Sequence, residues 1–102
     1  MESESRYWAS GNWQVADGKA DEFVERWTEF LTWTRKANEG LTAARLIRDG
    51  ADPNHFVSFA AWQDGESRNG WRQKPEYAQL WGSCRALCTE MRGGDFELVR
   101  AF

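Results

Sequence analysis

The sequence predicts an α+β domain in which two long helices cover one face of an antiparallel sheet. Three observations carry this. Segments of strand chemistry alternate with segments whose apolar residues recur at helical spacing, in the order β-α-β-β-(α)-α-β. A turn-rich hexapeptide, Asp49 to Asn54, joins the second and third strand segments, which makes them hairpin neighbours. The third strand segment, His55 to Trp62, has a strand's length but does not alternate between apolar and polar, so both of its faces are expected to be covered.

Each element follows from its residues. Met1 to Ser5 is polar and acidic, with nothing to bury, and is expected to be a disordered tail ahead of a single domain over residues 6–102. Tyr7 to Val15 is a strand, with Ala9, Gly11, Trp13 and Val15 on one face and Trp8, Ser10, Asn12 and Gln14 on the other. Asp17-Gly18 ends it. From Lys19 to Asn38 the apolar residues Ala20, Phe23, Val24, Trp27, Phe30, Leu31 and Ala37 fall at helical spacing, and Glu39-Gly40 provides the stop. Leu41 to Arg48 is the second strand. Asp64 to Gln73 is a short polar segment of one or two helical turns, and Pro75 suits the first turn of a further helix. That helix is expected to run through Met91, because Tyr77, Leu80, Trp81, Cys84, Leu87, Cys88 and Met91 form an apolar stripe. Arg92 to Asp95 would break it, leaving Phe96 to Phe102 as the last strand. The order is the split β-α-β pattern of ferredoxin-like domains. In that pattern one sheet face has no cover from its own chain, so a homodimer packed through the free faces is expected to bury Val57, Phe59 and Ala61.

Size and charge narrow the function. A chain of 102 residues buries roughly 65% of its unfolded surface, enough for a two-layer core without staples. Cys84 and Cys88 stand four apart in a helical pattern, where a bridge is disfavoured, which points to a reducing, cytoplasmic setting. No charged-then-apolar leader and no long apolar run is present, so neither export nor membrane insertion is expected. With 13 basic against 16 acidic residues the net charge is −3, which removes the electrostatic attraction that dominates nucleic-acid binding. RNA recognition motifs share the element order, but the basic residue that leads their third-strand motif is missing here. Seven tryptophans are unusual for a core of this size, and each buried indole N–H needs a partner.

Familiar catalytic arrangements are not found. Ser58 has no adjacent base and no nucleophile elbow. His55, the single histidine, lies beside a turn and is expected to be solvated rather than catalytic. No second histidine or spaced cysteine pair completes a metal site, and the two cysteines are expected to be small core residues. No Gly-rich loop opens a helix to hold a phosphate.

Four stretches taken together resemble the antibiotic biosynthesis monooxygenase domain family over nearly the full length. They are VADGKADEF (Val15 to Phe23), GLTAARLIRD (Gly40 to Asp49), DPNHFVSFAAWQD (Asp52 to Asp64) and GWRQKPEY (Gly70 to Tyr77). The resemblance implies a dimeric α+β barrel with an apolar pocket between helices and sheet in each subunit. It implies either oxidation of aromatic polyketides or quinols by dioxygen with no cofactor, or degradation of haem. In the anthrone-oxidising type an asparagine four residues before the third-strand tryptophan helps hold the substrate; here those positions are Ser58 and Trp62, and the family's short-helix tyrosine matches Trp71. In the haem-degrading type Trp71 fits the tryptophan, but Trp81 stands at the axial histidine and Gly11 at the strand-one asparagine, with Asn12 one out of register. Haem ligation has therefore lost its iron ligand.

The expected substrate-contacting set is Trp13, Trp27, Ser58, Trp62, Trp71 and Trp81, around a small planar aromatic molecule. Trp27 and Trp81 lie on apolar stripes, where core filling is the simpler role. The expected activity is a cofactor-independent oxygenation, which needs positioning, a dry cavity and a way to form the substrate anion. A general base for that step is not identifiable. The alternative is a dimeric ligand-binding or regulatory module that keeps the pocket without the chemistry.

Overall fold

The computed structural model describes residues 4–102. Of the expected tail, residues 1–3 lie outside the described residues. The elements run β1 (Tyr7–Val15), α1 (Ala20–Ala37), β2 (Leu41–Arg48), β3 (His55–Trp62), α2 (Gly65–Gln73), α3 (Pro75–Arg85) and β4 (Cys88–Glu97). The strands form one sheet in the order β2-β3-β1-β4, and every neighbouring pair is antiparallel. This is the ferredoxin-like α+β fold.

Local chemistry explains most boundaries. Gly18 takes a φ of +79°, the left-handed region that glycine enters freely, and turns the chain from β1 into α1. Asp21 and Glu22 in the first turn of α1, with Arg35 and Lys36 in the last, complement the helix dipole. Phe23, Phe30 and Thr34 form its buried stripe against the sheet. The hairpin between β2 and β3 is fixed by two aspartates: Asp49 Oδ1 accepts from the Ala51 N–H at 2.8 Å, and Asp52 Oδ1 from the Asn54 N–H at 2.9 Å. Asp64 caps α2 by accepting from the Ser67 N–H at 2.7 Å. Lys74 is extended, as the residue before a proline is driven to be, and Pro75 opens α3.

The last helix departs from the sequence expectation. It stops at Arg85, and Cys88 to Glu97 is strand, so Arg92-Gly93-Gly94-Asp95 lies inside β4 instead of breaking a helix. Phe96 and Glu97 are the strand's end rather than its beginning, and the segment from Leu98 to Phe102 is not strand. The free edge of β1 decides this. Residues 88–97 pair along all of β1, from Val15 opposite Cys88 to Tyr7 opposite Glu97, with a register shift between Gln14 and Val15. A helix continued to Met91 would leave the Trp13 to Val15 end of that edge unpaired, and the two glycines have little helical preference to oppose the strand. Met91 still reaches the core, but from the sheet, opposite Trp13.

The core lies between the helices and the inner sheet face. Trp13, Phe23, Phe56 and Trp62 are its largest fully buried side chains. On β1 the residues Ala9, Gly11, Trp13 and Val15 are the buried set, as the alternation predicts. The outer face carries Trp8, Val57, Phe59, Ala61, Ile47 and Phe96; Trp8 meets the Phe59 ring edge-on at 6.3 Å, and more than half of Ile47 and of Phe96 is exposed. No helix among the described residues is long and apolar enough to cross a membrane.

Candidate functional site

A cavity of about 460 Å³ opens between the helices and the inner sheet face. Its floor is β1, β3 and β4, where Gly11 and Gly93 stand opposite each other and leave room above the sheet. Its walls are Trp27, Phe30 and Leu31 of α1, Trp71 and Arg72 of α2, and Tyr77 and Trp81 of α3.

Five of the six residues expected from the sequence, Trp13, Trp27, Ser58, Trp71 and Trp81, line this cavity. The sixth, Trp62, is fully buried and is not part of the lining; its ring lies 4.9 Å from that of Trp71. The indoles differ in how their N–H groups are satisfied. Trp13 Nε1 donates to Ser58 Oγ at 3.0 Å, across the β1–β3 pair. Trp71 Nε1 donates to Thr34 Oγ1 at 3.0 Å, and the Thr34 hydroxyl donates in turn to the Phe30 carbonyl at 2.8 Å. Trp62 Nε1 is buried with no partner among the described residues. Ser58 Oγ, occupied as an acceptor, keeps its own O–H available as a donor.

The aromatic wall is ordered by ring packing. Trp71 lies nearly parallel to Phe30 at 5.7 Å, and Tyr77 meets Trp71 edge-on at 4.8 Å and Phe30 at 5.5 Å. The two edge-on contacts of Tyr77 are preferred because the positive edge of one ring meets the negative face of the next. Trp13 packs on Phe23 at 5.3 Å and on Trp81 at 6.1 Å.

One corner of the cavity is polar. Arg72 Nη1 donates to Asp95 Oδ2 at 3.0 Å and Arg72 Nη2 to Asp95 Oδ1, a two-pronged bridge from α2 to β4. Arg68 Nε lies 3.6 Å from Asp95 Oδ1 and has no hydrogen-bond partner of its own among the described residues. Arg72 also sits over the Trp71 ring, 5.7 Å from its centroid. The hydrogen bonds from Arg72 and the charge of both arginines hold the Asp95 carboxyl below the usual carboxylate range, and Asp95 raises the Arg72 guanidinium. Burial raises the Tyr77 phenol, with the Arg72 guanidinium acting in the opposite direction. At neutral pH Tyr77 is a neutral O–H donor.

His55 is remote from this cavity. It lies on the outer face, with Nδ1 2.8 Å from Asp49 Oδ2 and Nε2 2.7 Å from Asn12 Oδ1, so both ring nitrogens are engaged. The bond to His55 lowers the Asp49 carboxyl. Cys84 and Cys88 are free, Cys84 buried in the core, with its thiol pushed up to about 12 by burial.

The antibiotic biosynthesis monooxygenase family model matches residues 7–80, nearly three quarters of the chain. The chain belongs to this family. No curated protein matches it. Among solved structures, that of a variant of SnoaB, a cofactor-independent oxygenase from Streptomyces nogalater, superposes with a TM-score of 0.87 at 20% identity, covering 95% of this chain and 96% of that one. A conserved protein from Methanosarcina mazei gives 0.81 at 15% identity, covering 91% and 92%. An antibiotic biosynthesis monooxygenase structure gives 0.76 at 18%, covering 93% and 98%. At these identities the likeness is one of fold. Within the monooxygenase fold, sequence reasoning missed Arg72, Asp95 and Tyr77 as cavity residues. Asp95 was hidden by the misplaced last helix. Tyr77 was visible only as part of an apolar stripe, and Arg72 carried no signal beyond its place after Trp71.

Proposed function

We propose that the chain is a cofactor-independent oxygenase that oxidises a small planar aromatic, of the anthrone or quinol kind, in the cavity between helices and sheet. The observation that carries this reading is the cavity itself. Its volume falls within the roughly 300–1,000 Å³ of small-molecule sites, and its broad walls are aromatic rings suited to a flat ligand. Membership of the monooxygenase family supports the reaction class. In such a reaction the substrate, as the anthrol or quinol, loses its hydroxyl proton, and the resulting anion passes one electron to dioxygen. The radical pair then closes a C–O bond at the activated ring carbon, the peroxide takes up a proton, and the hydroperoxide loses water to leave a carbonyl. The protein supplies position, a dry environment and stabilisation of the anion.

The chain is proposed to work as a homodimer through the outer sheet face, with no nucleic-acid or membrane partner, in the cytoplasm. The alternative, a non-catalytic dimeric small-molecule-binding module, draws support from Asp95, whose two arginines make it a weak base. Oxygen uptake separates the two. Purified protein freed of metals by chelation is expected to consume oxygen with anthrones or hydroquinones. Tight binding across such a panel with no uptake would establish the binding module.

A further inference from the structure

Arg72 and Asp95 are the charged residues of the cavity lining, and with Arg68 behind them they place two guanidiniums against one carboxylate. The corner thus carries a net positive charge in a chain whose overall charge is −3. We propose that this corner, Arg72 with Tyr77 beside it and Arg68 behind, is an oxyanion site that selects aromatics bearing an ionisable hydroxyl and holds them as the phenolate. The inference rests on the cavity being the substrate site and names the substrate's chemical class.

The donors are present in the right number. A guanidinium has five N–H groups, and Asp95 accepts from one on each of the two terminal nitrogens of Arg72, leaving three. Tyr77 adds a neutral O–H, fixed against Trp71 by edge-on packing. Apolar walls reduce screening, so a positive corner there favours a bound anion more than the same charges would in water. This also replaces the missing base. Asp95, pinned by its arginines, is a poor proton acceptor, but a cationic corner makes the substrate hydroxyl itself more acidic, and its proton leaves to water at the mouth, where Arg72 and Asp95 are partly exposed.

The test uses alizarin, a planar hydroxyanthraquinone that changes colour on ionisation, and its dimethyl ether, which cannot ionise. Bound alizarin is expected to be an acid about tenfold or more stronger than free alizarin, the scale of a neighbouring opposite charge. Arg72→Gln should abolish most of that difference and Tyr77→Phe a smaller part, while Arg72→Lys retains some of it. Asp95→Asn, which removes the competing carboxylate, should strengthen it. The ether, which has no proton to lose, reports changes of cavity shape, so the affinity of alizarin relative to that of the ether should fall more in Arg72→Gln than in Tyr77→Phe. Alizarin that binds but ionises as it does in water overturns the oxyanion site and leaves the cavity standing. So does an Asp95→Asn variant that weakens alizarin's acidity as Arg72→Gln does, because the two residues would then matter only as a structural pair. Failure of both alizarin and the ether to bind overturns the cavity reading and the corner with it.

Discussion

The Trp13 indole reaches Ser58 Oγ because position 11, between them on the sheet, has no side chain. A Cβ built on Gly11 would lie 2.5 Å from Trp13 Nε1 and 2.9 Å from Ser58 Oγ, closer than real contacts allow. Gly11→Ala is therefore expected to displace the indole and destabilise the fold by about 1–3 kcal/mol, the usual cost of overpacking. Ser58→Ala leaves the space but removes the acceptor, and the buried N–H then costs about 1–3 kcal/mol. Urea denaturation checks both. A Gly11→Ala protein as stable as the parent would show that Trp13 has another place to go.

Trp62 and Trp71 touch, yet their substitutions should differ. Trp62→Phe removes a buried donor that has no partner, so its relief offsets the lost volume and stability should change by less than about 1.5 kcal/mol. Trp71→Phe breaks the bond to Thr34 and reshapes a cavity wall, and should lower both stability and alizarin affinity, the latter several-fold. The two melting curves and two binding titrations decide. Equal loss of affinity in both variants would mean that Trp62 shapes the site as strongly as the residue that lines it.

These pairs show how much of the molecule was legible beforehand. The inner face of β1 follows from period-two spacing, which burial enforces residue by residue, and α1 follows from its apolar stripe with a glycine turn before it. The end of α3 does not follow. Leu87, Cys88 and Met91 fit a helical stripe and a strand equally well, and the choice was made by the unpaired edge of β1, some 75 residues away in sequence between Gln14 and Thr89. The same long-range pairing brings Asp95 to Arg72. Side chains assembled across three elements leave no local spacing to detect, whereas aromatic residues announce a pocket through their number alone.

Cys84 should give the fold a pH dependence of definite sign. Its thiol rises from an ordinary value near 9 to about 12 in the folded chain, because burial penalises the thiolate. The folded state then binds a proton that the unfolded state releases above pH 9, so stability is complete below that pH and falls as pH rises toward about 12. Cys84→Ala should flatten this part of the profile, measured as the urea midpoint against pH. Iodoacetamide at mildly alkaline pH should leave Cys84 unmodified until the protein unfolds. Rapid labelling of Cys84 in the native protein would contradict its burial.

Val57 and Ile47 pair across β3 and β2 on the outer sheet face, where Phe59, Trp8 and Phe96 extend the apolar surface. A monomer would leave Ile47 53% and Phe96 58% exposed on a face that no helix covers. Two such faces packed together would bury on the order of 2,000 Å² in total, the scale of a lasting interface. Light scattering at micromolar concentration is expected to give twice the 11.8 kDa of one chain. Val57→Glu would place a charge in the middle of that contact while leaving the core side of β3 untouched, and should shift the protein to monomer with its helical circular dichroism intact. A parent protein that is already monomeric, or a Val57→Glu variant that remains a dimer, would mean that the outer face of β3 is not where two copies meet.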